Sequence, residues 1–277
     1  MFKLVNSTSE GAVLRIVCFS SEFKTLPLIV GCHYLVIDEV TERMVDWHWV
    51  DAANDDESGT YKASDSVAVT GDALYSLLEN TDLTVFLCSD THLWRKKVIE
   101  QLGRHDADIL LIAVHWSADQ IDDVRRVITS EYKTFFYDGN LICGSLEDAV
   151  SAVRGIIELI MDSSLIAIDF ADVRSVLKSN DALQLHVAFG HSTGKGAPLD
   201  AITSALSQVS LPPLEAVLVT IYGGPDINLQ EFSIVTEAVE NFVVPEGRVV
   251  VGMVRRQEFE DNGGIDVSLV AGVTGIQ

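Results

Sequence analysis

Short apolar runs alternate with stretches of helical spacing through the first half of the chain. Four of these runs predict β-strands, several of them buried on both faces: 12–19, 34–38, 83–88 and 109–115. Apolar positions three and four residues apart predict three helices: 71–80, 91–103 and 118–132. The polar, turn-rich stretch 51–66 predicts a surface loop. Strands that alternate with helices in this way predict a mainly parallel sheet with helices on both faces.

The second half begins with a long amphipathic pattern over 145–161, which predicts one long helix. The pattern after it predicts strands at 183–190, 215–224, 248–254 and 265–273, and helices at 198–210 and 227–243. The predicted fold class is therefore α/β. A Rossmann-like, mainly parallel sheet domain over 1–144 leads through a central connecting helix over 145–161 into a smaller α+β domain over 162–277.

The stretch LIAIDFADVRSVL, residues 165–177, places two carboxylates in a segment otherwise suited to burial. The local pattern predicts a helix start. Asp169 would be the N-cap that accepts a bond from a backbone N–H group. Asp172 would lie in the first turn, where the helix dipole favours negative charge.

Composition and charge restrict the possible partners. The 277 residues are 48% hydrophobic, and the mean hydropathy of +0.25 indicates enough apolar material for sizeable cores. Nineteen Lys and Arg against 41 Asp and Glu give a formal net charge of −22. Such a chain lacks the basic field that a phosphate backbone requires, which disfavours nucleic acid as a direct partner. The same repulsion disfavours an anionic membrane surface.

The cysteines and the N-terminus indicate the compartment. Cys18, Cys32, Cys88 and Cys143 occur singly, a spacing that suits neither a zinc site nor a disulfide framework and favours buried free thiols. The N-terminal sequence MFKLVNSTSE shows no secretion signal. No apolar run approaches the roughly 20 residues needed to cross a bilayer. We expect a cytoplasmic protein with no direct membrane insertion and no metal site.

The first half lacks the glycines with which parallel α/β domains hold phosphate groups. The first strand leads into CFSSEFKTLPL and the strand at 83–88 leads into CSDTHLWRKK, and neither stretch contains glycine. Arg95, Lys96 and Lys97 remain as a possible weak anion site, although such a trio is also typical of the solvated face of a helix. We therefore expect no bound nucleotide and no other cofactor.

Two glycine-containing stretches in the second half predict turns. GHSTGKGA, residues 190–197, resembles a phosphate-binding loop, but three residues instead of four separate its glycines and Gly196 follows Lys195. A turn before a helix explains it better. Residues 223–225 predict a tight turn between strand and helix, and Asp226 is placed as the cap of that helix. His186 and His191 do not have the spacing of a metal-ligand pair.

From about residue 145 the chain resembles FtsZ, the bacterial relative of tubulin. The resemblance rests on VRGIIELI, LIAIDFADVRSVL, VLVTIYGGPDINLQEF and VVVGMV, in matching order and spacing. In the first half AVLRIVCF and GDALYSLLENTDLTVFLC match more weakly. Where the family has a glycine–threonine run that holds GTP phosphates, this chain has SDTHLWRKK, so we expect that GTP is not bound.

The resemblance implies a tubulin/FtsZ-like fold and a role for the two carboxylates. In the family, the loop equivalent to 165–172 reaches into the nucleotide pocket of the next subunit, where two acids orient the water that attacks the γ-phosphate. Asp169 and Asp172 match those acids, whereas Ala167 replaces an asparagine that contacts the neighbour's nucleotide. The chain departs from the family at its end, because GIQ follows directly after the last predicted strand. We expect that the family's flexible tail, which binds membrane-anchor proteins, is either absent or has been removed.

These observations predict a cytoskeletal protein of the FtsZ type that is not an enzyme. The expected function is nucleotide-independent self-assembly or docking on filaments of a true FtsZ, with Ala167, Asp169 and Asp172 in the interface loop. One alternative is a divergent GTPase in which Arg95, Lys96 or Lys97 replace the missing backbone donors. The other alternative is a module that binds a different small ligand.

Overall fold

The computed structural model describes part of the chain. The described residues are 14–19, 32–38, 43–50, 58–61, 83–88, 108–113, 146–160, 164–166, 168–177, 183–209, 213–256, 259 and 263–274. They comprise two β-sheets and four helices, and all structural statements below concern these ranges.

The first sheet has six strands in the order β4-β3-β2-β1-β5-β6. The strands are β1 (Leu14–Phe19), β2 (Cys32–Asp38), β3 (Arg43–Val50), β4 (Ser58–Tyr61), β5 (Leu83–Cys88) and β6 (Asp108–Ala113). The pairs β1–β2, β1–β5 and β5–β6 are parallel, whereas β3 is antiparallel to both β2 and β4. Two side chains of β5, Thr84 and Val85, are buried. The apolar runs of β1 and β5 accordingly form interior strands, each with a neighbouring strand on both sides.

The four strands predicted in the first half are confirmed as β1, β2, β5 and β6. The prediction of a surface loop over 51–66 is wrong at Ser58–Tyr61, because these residues pair with β3 as an edge strand. Strand β3 itself was not predicted, since its polar residues interrupt the apolar run. The predicted helices 71–80, 91–103 and 118–132 lie outside the described residues.

The second sheet has five strands in the order β7-β10-β9-β11-β8. They are β7 (Ser164–Ile166), β8 (Leu183–Thr193), β9 (Leu214–Gly223), β10 (Val243–Arg255) and β11 (Gly264–Thr274). Only β9 and β10 pair in parallel; the other neighbours are antiparallel. Four helices accompany this sheet: α1 (Leu146–Ile160), α2 (Phe170–Leu177), α3 (Ala197–Gln208) and α4 (Leu229–Glu240). All elements predicted in this half are confirmed, and β8 extends three residues beyond its predicted end.

The helices α3 and α4 cover one face of the second sheet and form its main core. Apolar side chains from both helices and from β8 to β11 are buried together there, among them Ile202, Val219, Val235 and Met253. Gly190 on β8 permits the closest approach, because a Cβ atom at this position would lie 1.8 Å from the carbonyl oxygen of Ala201 in α3.

The opposite face of the sheet carries α1 and α2. Thr220 Oγ1 on β9 donates a hydrogen bond of 3.0 Å to the carbonyl oxygen of Gly155, which anchors the middle of α1. Arg248 Nη1 on β10 donates a 2.9 Å bond to the carbonyl oxygen of Ser175 near the end of α2. Helices α1 and α2 therefore both pack on this face of the sheet.

The start of α4 differs from the prediction. Asn228, not Asp226, is the N-cap: its side chain accepts a 2.9 Å bond from the Gln230 N–H, while Glu231 Oε2 accepts a 2.8 Å bond from the Asn228 N–H. This reciprocal arrangement is a capping box, which satisfies two backbone donors at once. Asp226 instead lies in the turn that precedes the helix.

Candidate functional site

Asp169 and Asp172 lie together at the start of α2, in the segment we call the acidic segment, residues 168–172. Asp169 Oδ1 accepts a 3.0 Å hydrogen bond from the Ala171 N–H, and its carbonyl oxygen accepts a 2.9 Å bond from the Asp172 N–H. The predicted N-cap is thereby confirmed. Asp172 occupies the first turn of the helix, also as predicted. Both acidic residues are exposed.

The acidic segment is held in place by its contacts with β10. The short strand β7 precedes it and pairs with the C-terminal part of β10, where Ile166 lies opposite Met253. Ile168 then packs over Gly252, together with Leu159 from α1. A Cβ atom at Gly252 would lie 2.6 Å from Ile168 Cδ1 and 2.2 Å from Leu159 Cδ2, so a side chain there would displace both. The missing side chain of Gly252 therefore makes room for the segment.

The two carboxylates have different internal roles. One oxygen of Asp169 is used by the helix cap. The Asp172 carboxylate makes no hydrogen bond and no ion pair within the described residues; only its main-chain oxygen accepts a 2.7 Å bond from Ser175 Oγ. The fold thus explains the presence of Asp169 but leaves the Asp172 carboxylate available to a group outside the described part of the chain.

A polar cleft of about 320 Å³ lies between α1 and the sheet. Arg154 and Arg256 line this cleft, and both donate to Glu158 of α1: Arg154 Nε lies 2.7 Å from Oε1, and Arg256 Nη2 lies 2.7 Å from Oε2. The Arg256 guanidinium also stacks 3.7 Å above the centroid of the Tyr222 ring. These contacts join α1, which precedes the acidic segment in the chain, to the ends of β9 and β10.

Tyr222 and His191 complete the polar lining of the cleft. Burial raises the pKa of the Tyr222 phenol above its ordinary value of 10.0, and the nearby Glu158 carboxylate raises it further. Tyr222 is consequently a neutral group at physiological pH. His191 Nδ1 lies 2.5 Å from Asp266 Oδ1 on the neighbouring strand, and both side chains are exposed to solvent. The charged lining of the cleft thus includes Arg154 and Arg256, which are bonded to Glu158, and Asp266, which is bonded to His191.

The structure describes only some of the predicted site residues. Asp169 and Asp172 are brought together, but Ala167 and the basic trio Arg95, Lys96 and Lys97 lie outside the described residues. The stretch 190–197 forms the end of β8, a turn and the start of α3, as predicted for a turn. Gly194 and Gly196 both have positive φ values in this turn, of 81° and 94°.

Sequence reasoning missed Gly252, Glu158 and Arg256. The four-residue spacing of Arg154 and Glu158 in VRGIIELI was a visible signal of an ion pair on one helix face. The contact between Glu158 and Arg256 joins residues 98 positions apart and had no local signal. Within the described residues, no three His, Cys, Asp or Glu side chains are grouped to hold a metal ion.

The C-terminal third of the chain is similar to a known protein family. Residues 184–277, about a third of the chain, match the model of the FtsZ family C-terminal domain. Over 176 residues the chain is 34% identical to cell division protein FtsZ of Azotobacter vinelandii, and over 119 residues it is 32% identical to cell division protein FtsZ 1 of Archaeoglobus fulgidus. The chain is FtsZ-like.

The structural comparison extends the likeness in fold beyond residues 184–277. An FtsZ dimer from M. jannaschii, described as empty, superposes with a TM-score of 0.64 over 96% of this chain and 89% of that one, at 16% identity. The predicted tubulin/FtsZ-like fold class is therefore confirmed. The sequence matches cover 61% and 42% of this FtsZ-like chain, and 44% and 32% of the Azotobacter and Archaeoglobus proteins. The chain thus spans less than half the length of these relatives.

One expectation has to be corrected. The prediction that the FtsZ-like chain is not an enzyme is wrong, because its relatives are FtsZ proteins and FtsZ is a GTPase. No described helix is long and apolar enough to cross a membrane.

Proposed function

We propose that this FtsZ-like chain is a cytoskeletal subunit that assembles end to end with copies of itself, with the acidic segment at the contact. The observation that carries the proposal is the exposed Asp172 carboxylate, which has no partner within the described residues. A carboxylate that only stabilised α2 would contribute about 0.3–1 kcal/mol through the helix dipole. A contact with a second copy would give the Asp172 carboxylate a binding partner in addition to this role in the helix.

Self-association also has support from the relatives. The M. jannaschii structure of the same fold is described as an FtsZ dimer, and the matched sequences are cell division proteins. A specific contact between copies would bury on the order of 1,600 Å² in total. Because the chain carries a net charge of −22, a contact between copies needs local complementarity to overcome general repulsion.

Assembly without a requirement for GTP is the finer part of the proposal. It is supported by the sequence after β1 and β5, where CFSSEFKTLPL and CSDTHLWRKK offer no glycine for a phosphate-binding loop. A subunit whose pocket binds nucleotide weakly would depend on protein contacts alone for its assembly.

The test is sedimentation of purified protein that carries Asp169→Asn and Asp172→Asn. Asparagine caps helices about as well as aspartate, so the cap of α2 is kept while two negative charges are removed. We expect the critical concentration for assembly to rise at least about fivefold, which corresponds to roughly 1 kcal/mol. Asp200→Asn is the matched control, because Asp200 is an exposed acid in the first turn of α3. An equal change in both variants, or no change in either, would overturn the proposal.

A second candidate function is GTP hydrolysis between subunits, which is favoured by the FtsZ relatives and by the retention of both acids. Arg95, Lys96 and Lys97 are the side chains available to neutralise the phosphates in that case. Phosphate release from GTP, measured above the critical concentration, separates the two candidates. Hydrolysis that disappears in the Asp169→Asn, Asp172→Asn variant supports the second candidate. Assembly only in a mixture with a true FtsZ would instead identify a modulator of that filament.

A further inference from the structure

The outer edge of β8 is a surface on which a further strand could pair. Strand β8 is terminal in the second sheet and pairs only with β11 among the described strands. In an antiparallel pair, alternate residues direct both backbone groups away from the neighbour. Phe189 is one of these residues, since its N–H and carbonyl groups both bond to a side chain outside the sheet. Val187 and His191, two positions on either side, share this orientation.

Gln208 occupies this edge at Phe189 in the way that a neighbouring strand would. Its Nε2 donates a 2.6 Å hydrogen bond to the Phe189 carbonyl oxygen, and its Oε1 accepts a 3.4 Å bond from the Phe189 N–H. A 3.1 Å bond from the same Nε2 to the Ser204 carbonyl oxygen holds the side chain on α3. A primary amide offers the same donor and acceptor pair as a peptide group. Gln208 therefore satisfies the edge that an added strand would use.

The charge of β8 favours a second copy of the chain as the added strand. The eleven residues LQLHVAFGHST include no carboxylate and no permanently charged side chain, in a chain that has 41 acidic residues. Two β8 strands can therefore pair without placing carboxylates directly opposite each other. Antiparallel pairing of identical edges is self-complementary about a two-fold axis.

We propose that the outer edge of β8 is a pairing surface for β8 of a second copy, and that Gln208 keeps this edge closed. Natural sheets commonly protect their edges against such pairing, here by a side chain that can be released by rotation alone. The edge belongs to β8, whereas the acidic segment follows β7, and these are the two opposite edge strands of the sheet. The inference thus goes beyond end-to-end assembly and does not depend on it.

The test compares Gln208→Ala with Gln230→Ala, which removes another exposed glutamine from a helix of the same domain. In dilute, monomeric protein, hydrogen exchange should be at least about tenfold faster at the Phe189 amide in Gln208→Ala than in the unmodified protein. At higher concentration, sedimentation velocity should show more dimer for this variant than for the unmodified protein. Gln230→Ala should change neither quantity. Faster exchange without added dimer, or unchanged exchange, would overturn the proposal.

A second variant shows whether added dimer forms through the edge. Val187→Pro removes an outward-facing N–H group, and proline is tolerated at such positions of edge strands. Combined with Gln208→Ala, it should return the dimer fraction to that of the unmodified protein; a persistent dimer would contradict pairing through β8.

The measurements are repeated with Asp169→Asn and Asp172→Asn, which remove the proposed end-to-end contact. Dimer formation in that background depends on the edge alone, so the two proposals fail independently.

Discussion

Glu158 Oε2 lies 2.7 Å from Arg256 Nη2, and this ion pair joins helix α1 to the end of strand β10. The same carboxylate accepts from Arg154 through its other oxygen, also at 2.7 Å. The side chains of Glu158 and Arg256 are only 15% and 14% exposed, so water has little access to solvate either charge if the contact is broken. One carboxylate thus fixes α1 against the sheet that carries the acidic segment.

The first prediction concerns this contact. Replacing Glu158 by Ala leaves two arginines facing each other without their shared partner, and we expect a loss of about 2–4 kcal/mol in the free energy of unfolding. Urea denaturation followed by circular dichroism measures the loss. Glu240→Ala, at an exposed position of α4, is the control and should change stability by less than about 0.5 kcal/mol. Equal stability of the two variants would show that the ion pair contributes little.

The second prediction ranks two glycines by what a new Cβ atom would meet. In Gly190→Ala the Cβ meets a backbone oxygen at 1.8 Å, which only a shift of α3 can relieve. In Gly252→Ala it meets the ends of the Leu159 and Ile168 side chains, which can rotate. We expect losses of more than about 3 kcal/mol for Gly190→Ala and about 1–3 kcal/mol for Gly252→Ala, measured by thermal and urea denaturation. The reverse order would contradict the packing described for β8 and α3.

The third prediction distinguishes the two candidate caps of α4. Asn228→Ala removes the side chain that accepts from the Gln230 N–H, and we expect it to cost about 1 kcal/mol. Asp226→Ala should change stability by less than about 0.5 kcal/mol, because this residue lies in the turn before the helix. A larger loss for Asp226→Ala would restore the cap that the sequence indicates.

The fourth prediction is a pH dependence centred on His186. Burial lowers the pKa of its imidazole below the ordinary 6.5, so the unfolded chain binds a proton before the folded chain does as the pH falls. This residue therefore reduces stability at acidic pH and has no such effect above about pH 6.5. We expect the stability lost between about pH 7.5 and about pH 5.5 to be smaller in His186→Phe than in the unmodified protein. An equal loss in both would show that His186 does not contribute.

The elements of the second half were predictable because apolar periodicity decided them. Strand β9, LEAVLVTIYG, is buried along nearly its whole length, and the N-cap at Asp169 follows from local hydrogen bonding within three residues. Strand β4 was not predictable, since Ser58–Tyr61 is polar and becomes a strand only through pairing with β3. The cap at Asn228 was missed because Asp226 is an equally good cap by residue type, and only the path of the chain selects between them.

The candidate site was predictable in part, for a similar reason. The acids Asp169 and Asp172 could be found from their spacing and from the resemblance to FtsZ. Gly252 and Arg256 act on that region through tertiary contacts with Ile168 and Glu158, and these contacts join residues 84 and 98 positions apart. No local pattern encodes such contacts.

We propose above all that the acidic segment of this FtsZ-like chain supports self-assembly that does not require GTP. Sedimentation of the pure, nucleotide-free protein over a range of concentrations tests it most directly, with electron microscopy of the pellet. We expect filaments above a critical concentration that changes less than about twofold when GTP is added. Protein that stays monomeric at every concentration without GTP, and assembles only when GTP is present, would contradict the claim.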